Sequence, residues 1–71
     1  MPRIILGFSL SGPEVQQNLL HEFSLHHDVA ASARDDCVIL VETSDLPAAV
    51  WEVRATIGMF DDRATEITGQ T

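Results

Sequence analysis

Seventy-one residues allow one domain at most, and a domain of this size buries only about 60% of the surface that its unfolded chain exposes. The single cysteine, Cys37, excludes an internal disulfide and points to a reducing compartment, which leaves a metal or self-association as the available supports. Eleven acidic residues against four arginines and no lysine give a net charge of −7, which phosphate backbones repel; direct nucleic-acid binding is therefore excluded, and solubility accounts for the acidity.

The stretch MPRIILGFSLSG lacks the apolar length and the small-residue cleavage site of a signal peptide. No segment approaches the roughly 20 apolar residues that span a bilayer, so the expectation is a cytoplasmic protein with no membrane partner. Residues 3–10, RIILGFSL, predict a strand that ends at the turn SGP. Its alternation puts Ile4, Leu6, Phe8 and Leu10 on one side and Arg3, Ile5, Gly7 and Ser9 on the other. Residues 11–23, SGPEVQQNLLHEF, predict a helix. Ser11 and Glu14 have the spacing of a capping box, Pro13 suits a first turn, and Val15, Leu19, Leu20 and Phe23 form the inward stripe.

Residues 28–36 predict a weaker strand that reaches a turn at Asp35-Asp36. Residues 37–44, CVILVETS, predict the strongest strand, with five apolar residues in a row and both faces covered. Residues 44–60 predict a second helix, capped by Ser44 or Asp45, with Pro47 in its first turn. Leu46, Ala49, Val50, Val53, Ile57 and Phe60 make its stripe, and Trp51 lies off it. Residues 61–71 predict a turn and a weak closing strand around Ile67.

Strand, helix, strand, strand, helix, strand is the order of an α+β domain whose two halves close into a four-stranded antiparallel sheet with both helices on one face. The most apolar strands, the first and third, belong at its centre. The pattern RIILGFSL…EVQQNLLHEF…DVAASARDDCVILVETSDLPAAVWEVRATI…ATEI resembles the ferredoxin-like fold over almost the whole chain. Within it, ILVETSDLPAAVWEVRATI is similar to ACT-type regulatory domains and to NapD-type chaperones. The ACT-type resemblance implies a small-ligand sensor, with a metabolite at the turn SLSGPE beside the first helix. Free backbone N–H groups at a helix start favour an anion.

His21, His26 and His27 are the metal-ligand candidates, since imidazole binds zinc. On an intact helix, however, residues five apart diverge by about 140°, and neighbours such as His26 and His27 point apart. The competing reading is a set of surface imidazoles near a helix C-terminus, where they interact well with the dipole. Cys37 follows two aspartates, which disfavour a thiolate, and reads as a packing residue. Asp35-Asp36 and Asp61-Asp62 read as solvated turns. No EF-hand spacing or phosphate-binding glycine loop is present, and nothing calls for a cofactor.

The expectation is therefore a non-catalytic binding, regulatory or adaptor protein. It acts on a protein partner or on itself, as a homodimer through the open sheet face. Either Val38 and Leu40 or Ile39 and Val41 must face that side, and an apolar patch there needs a partner. The second pair, together with Ile5 and with Trp51 on the helix, makes the expected interface, and Ile39→Asp is expected to leave a folded monomer. The alternatives are the ligand sensor, a metal protein using the three histidines, and an acidic inhibitor of a nucleic-acid-binding protein.

Overall fold

The computed structural model describes residues 2–67. Its elements follow in the order β1 (Arg3–Ser9), α1 (Pro13–Ser24), β2 (Ala30–Ala33), β3 (Val38–Ser44), α2 (Pro47–Phe60) and β4 (Thr65–Ile67). The strands form one antiparallel sheet in the order β2-β3-β1-β4. This is the α+β ferredoxin-like βαββαβ fold, with the two most apolar strands at the centre. The expected closing strand is observed over Thr65–Ile67, and residues 68–71 lie outside the described residues.

Both helices pack on one side of the sheet. Leu6, Phe8 and Leu10 from the first strand region meet Ile39 and Val41 of β3, Leu19 and Phe23 of α1, and Val53 and Ile57 of α2. The alternation of β1 and the stripe of α1 therefore face as the sequence pattern predicts. On α2 the inward stripe narrows to Val53 and Ile57, flanked by the half-buried Ala49 and Val50. Leu46 and Phe60 at its two ends are exposed.

Neither helix uses the caps that its sequence suggests. Pro13 and Pro47 occupy the first helical positions, which moves the cap position onto Gly12 and Leu46. Ser11, Ser44 and Asp45 then fall one or two residues too early, and neither cap residue, Gly12 or Leu46, makes a side-chain capping bond. Two buried polar side chains tie the loops to this frame instead. Gln16 of α1 donates its amide to the carbonyl of Asp35 and, at 2.8 Å, to that of Val38, which spans the turn between β2 and β3. Asp61, also buried, accepts the backbone N–H of Ser11 at 2.7 Å and that of Arg63 at 3.1 Å. It therefore joins the β1–α1 turn to the α2–β4 turn and is not the solvated turn residue that its Asp-Asp context suggests.

Candidate functional site

Residues opposite one another in an antiparallel pair share a face. Leu6 lies opposite Val41 and Phe8 opposite Ile39, so these four point toward the helices. Ile39 and Val41 are completely buried there and cannot form the expected surface interface. Both parities of β3 are apolar, so its own pattern is silent; the register against β1 decides. The open side of β3 carries Val38, Leu40 and Glu42, opposite Ser9, Gly7 and Ile5. Val38 and Leu40 are only half-buried, so β3 is not covered on both faces.

Ile5 stands at the middle of this open face and is 56% exposed. Gly7 beside it has no side chain, and Leu40 and Ile67 close over it from the two neighbouring strands. A Cβ at Gly7 would lie 3.3 Å from Leu40 Cδ2 and 3.7 Å from Ile67 Cβ. The result is an apolar ridge across β3, β1 and β4. Toward β2 the small residues Ala30 and Ser32 leave a shallow depression of about 140 Å³, bounded by Ile5, Leu40 and Glu42. Of the strand residues on this side, Arg3 and Glu42 alone are charged, and they pair with each other at 3.2 Å. Arg3 also donates to the carbonyls of Asp28 and Glu42.

The expected metal ligands do not converge. His21, His26 and His27 are all exposed. The helix runs through Ser24, so His21 stays on its solvent side, whereas His26 and His27 follow the helix as neighbours. His26 Nε2 lies 3.4 Å from Glu22 Oε2, one helical turn back, and its ring rests tilted against Phe23. Among the described residues, no three His, Cys, Asp or Glu side chains form a group that could hold a metal ion.

The turn SLSGPE, the expected ligand position of a sensor, is already served by the chain's own carboxylate. Asp61 takes the Ser11 N–H, and this bond, assisted by the N–H of Arg63, holds the Asp61 carboxyl below its ordinary pKa despite its burial. An anionic ligand at this helix start would meet that negative charge. Cys37 is half-buried at the head of β3, and its carbonyl accepts the Leu10 N–H at 2.6 Å, a structural position.

Trp51 projects outward from α2 and is 67% exposed; it does not lie flat over the helix pair. Sequence reasoning missed what accompanies it. Met59, on the same flank, is 83% exposed, and the half-buried Ala55 lies between them. The four-residue spacing of Trp51, Ala55 and Met59 was the available signal. Behind that flank, Arg54 forms two hydrogen bonds with Glu66 of β4, at 2.7 and 3.1 Å. This bonding and the carboxylate charge raise the pKa of the guanidinium further.

Among the described residues, no helix is long and apolar enough to cross a membrane. No protein family, no curated protein and no solved structure matches this chain.

Proposed function

We propose that this chain is a non-catalytic binding module that pairs with a second copy of itself through the open face of its sheet. One observation carries the reading. The strand residues opposite the helices include Ile5, Val38, Leu40 and Ile67, and among the described strand residues of that face the only charged ones, Arg3 and Glu42, form an ion pair within the chain. Apolar patches of this kind mark contact surfaces. Two chains of net charge −7 repel, and the described strand residues of this face add no unpaired charge to that repulsion.

Size sets the strength of the contact. Four strands about 4.8 Å apart and a seven-residue β1 rising about 3.4 Å per residue give a flat face of roughly 15 by 24 Å. That is about half the area, ~800 Å² per partner, that stable complexes bury. The expected dimer therefore dissociates on dilution through the micromolar range. Light scattering on untagged protein over that range tests the reading. Leu40→Asp places a carboxylate in the middle of the ridge and should give a folded monomer at every concentration. Ile39→Asp should instead unfold the chain, because Ile39 is completely buried under the helices. A parent protein that stays monomeric throughout, or a Leu40→Asp variant that keeps the dimer mass, refutes the proposal.

A further inference from the structure

α2 is apolar on two sides. Val53 and Ile57 face the sheet, while Ala48, Trp51, Ala55, Gly58 and Met59 are directed away from this pair. Of its fourteen residues only Glu52 and Arg54 are charged, and Arg54 is engaged by Glu66. A helix with a second apolar side besides its core-facing one offers that side to another surface. Tryptophan and methionine are enriched where proteins meet.

Between this flank and the end of α1 runs an open groove of about 340 Å³. Phe23, Thr43 and Val53, all buried, make its floor; Trp51 and Met59 stand exposed along it. Its charged lining residues are Asp28 and Glu52, with His26 hydrogen-bonded to Glu22 at one end. None of the four arginines lines it. Arg3, which reaches the Asp28 carbonyl, already pairs with Glu42, and Arg54 pairs with Glu66.

These features select the occupant. The groove has Phe23 and Val53 beside Thr43 in its floor and Asp28 and Glu52 as its acidic lining residues, in a chain of net charge −7, so anionic membranes and nucleic acids are repelled and a cationic group is attracted. Its long wall is a helix whose backbone groups are already bonded, so an extended peptide would find few main-chain partners there, whereas a helix satisfies its own. Trp51 to Met59 spans about 12 Å, or two turns of an α-helix. We infer that the groove docks a cationic amphipathic helix of another protein. The partner's apolar residues, one turn apart, seat on Phe23 and Val53 between Trp51 and Met59, and its lysines or arginines meet Asp28 and Glu52. The groove lies on the helix side, away from the open sheet face, and stands independently of the self-association proposed above.

Trp51 is the only tryptophan of the chain and reports the event directly. The probe is a tryptophan-free amphipathic peptide, LKKLLKLLKKLLKL, titrated into the full chain at 150 mM salt, beside the peptide in which glutamate replaces every lysine. The lysine peptide should shift Trp51 emission to the blue with saturation, and the glutamate peptide should not. Joint Asp28→Asn and Glu52→Gln should weaken binding at least about fivefold, whereas joint Glu14→Gln and Asp36→Asn, which lower the net charge equally at a distance from the groove, should leave it within about twofold. Absence of a shift, an equal response to the glutamate peptide, or equal losses in the two charge-matched variants overturns the inference. Far-UV circular dichroism confirms that each variant is folded.

Discussion

Replacing Gln16 with glutamate changes one atom of a buried side chain and leaves its shape alone. Gln16 is 3% exposed, and its amide nitrogen donates to both the Asp35 and Val38 carbonyls. The carboxylate has no proton to donate and would face two carbonyl oxygens in a dry site. Each lost bond is worth about 1 kcal/mol net, and stranding the charge adds more. Protonation limits the damage, because a neutral carboxyl donates one O–H and recovers one bond. Holding the proton at pH 7 against an ordinary glutamate pKa of about 4.3 costs about 1.4 kcal/mol per unit. The expected loss relative to the parent is therefore about 1 kcal/mol below pH 4, growing to about 3–5 kcal/mol at pH 7, out of a total of roughly 4–10 kcal/mol for a domain of this length. The sign follows from linkage. The folded pKa of the new carboxyl is raised, so the native state holds more protons than the unfolded chain, and stability declines as pH rises above the ordinary value. Urea unfolding at pH 3.5, 5, 6 and 7 reads the difference. Gln16→Leu, which never titrates, should show a gap to the parent that does not change with pH. The same flat gap for Gln16→Glu would refute the account, since it would mean that the side chain is solvated and does not hold the β2–β3 turn.

Asp61 predicts the opposite pH dependence. Its carboxyl is held below the ordinary value by the Ser11 and Arg63 N–H groups, so its contribution is present above about pH 4 and is lost as pH falls through the lowered folded value. Asp61→Asn should destabilise the protein at neutral pH and flatten the acid limb of its stability curve, as read by urea midpoints from pH 2 to 7; an unchanged acid limb counts against the staple. Chelator should alter neither the mass in solution nor the thermal midpoint, because His21, His26 and His27 do not converge. A fall in either after metal removal would restore the histidines as ligands.

The order of elements and the core face of β1 and α1 were legible because they follow local periods: two residues along Ile4, Leu6, Phe8 and Leu10, and about four along Val15, Leu19 and Phe23. The open face was legible as a consequence of the fold, and Ile5 as a member of it by parity. The assignment of Ile39 and Val41 to that face was not, because a strand apolar at both parities has no amphipathic direction of its own. The helix caps were misplaced because proline outranks serine or aspartate in setting where a helix begins, by fixing its own φ and contributing no N–H. Gln16 was invisible as a buried residue: an amide enters a core only when backbone carbonyls from another element are waiting for it, and those come from a turn about 20 residues away. Composition, periodicity and chain order thus determined the fold class, the inward faces of β1 and α1 and the net negative charge, all of which depend on near neighbours or on summed charge. Which face of β3 is covered, which polar groups are dry, and that Trp51 and Met59 line one groove were decided only by the pairing of β1 with β3 and the docking of α2, since long-range register carries information that no local window contains.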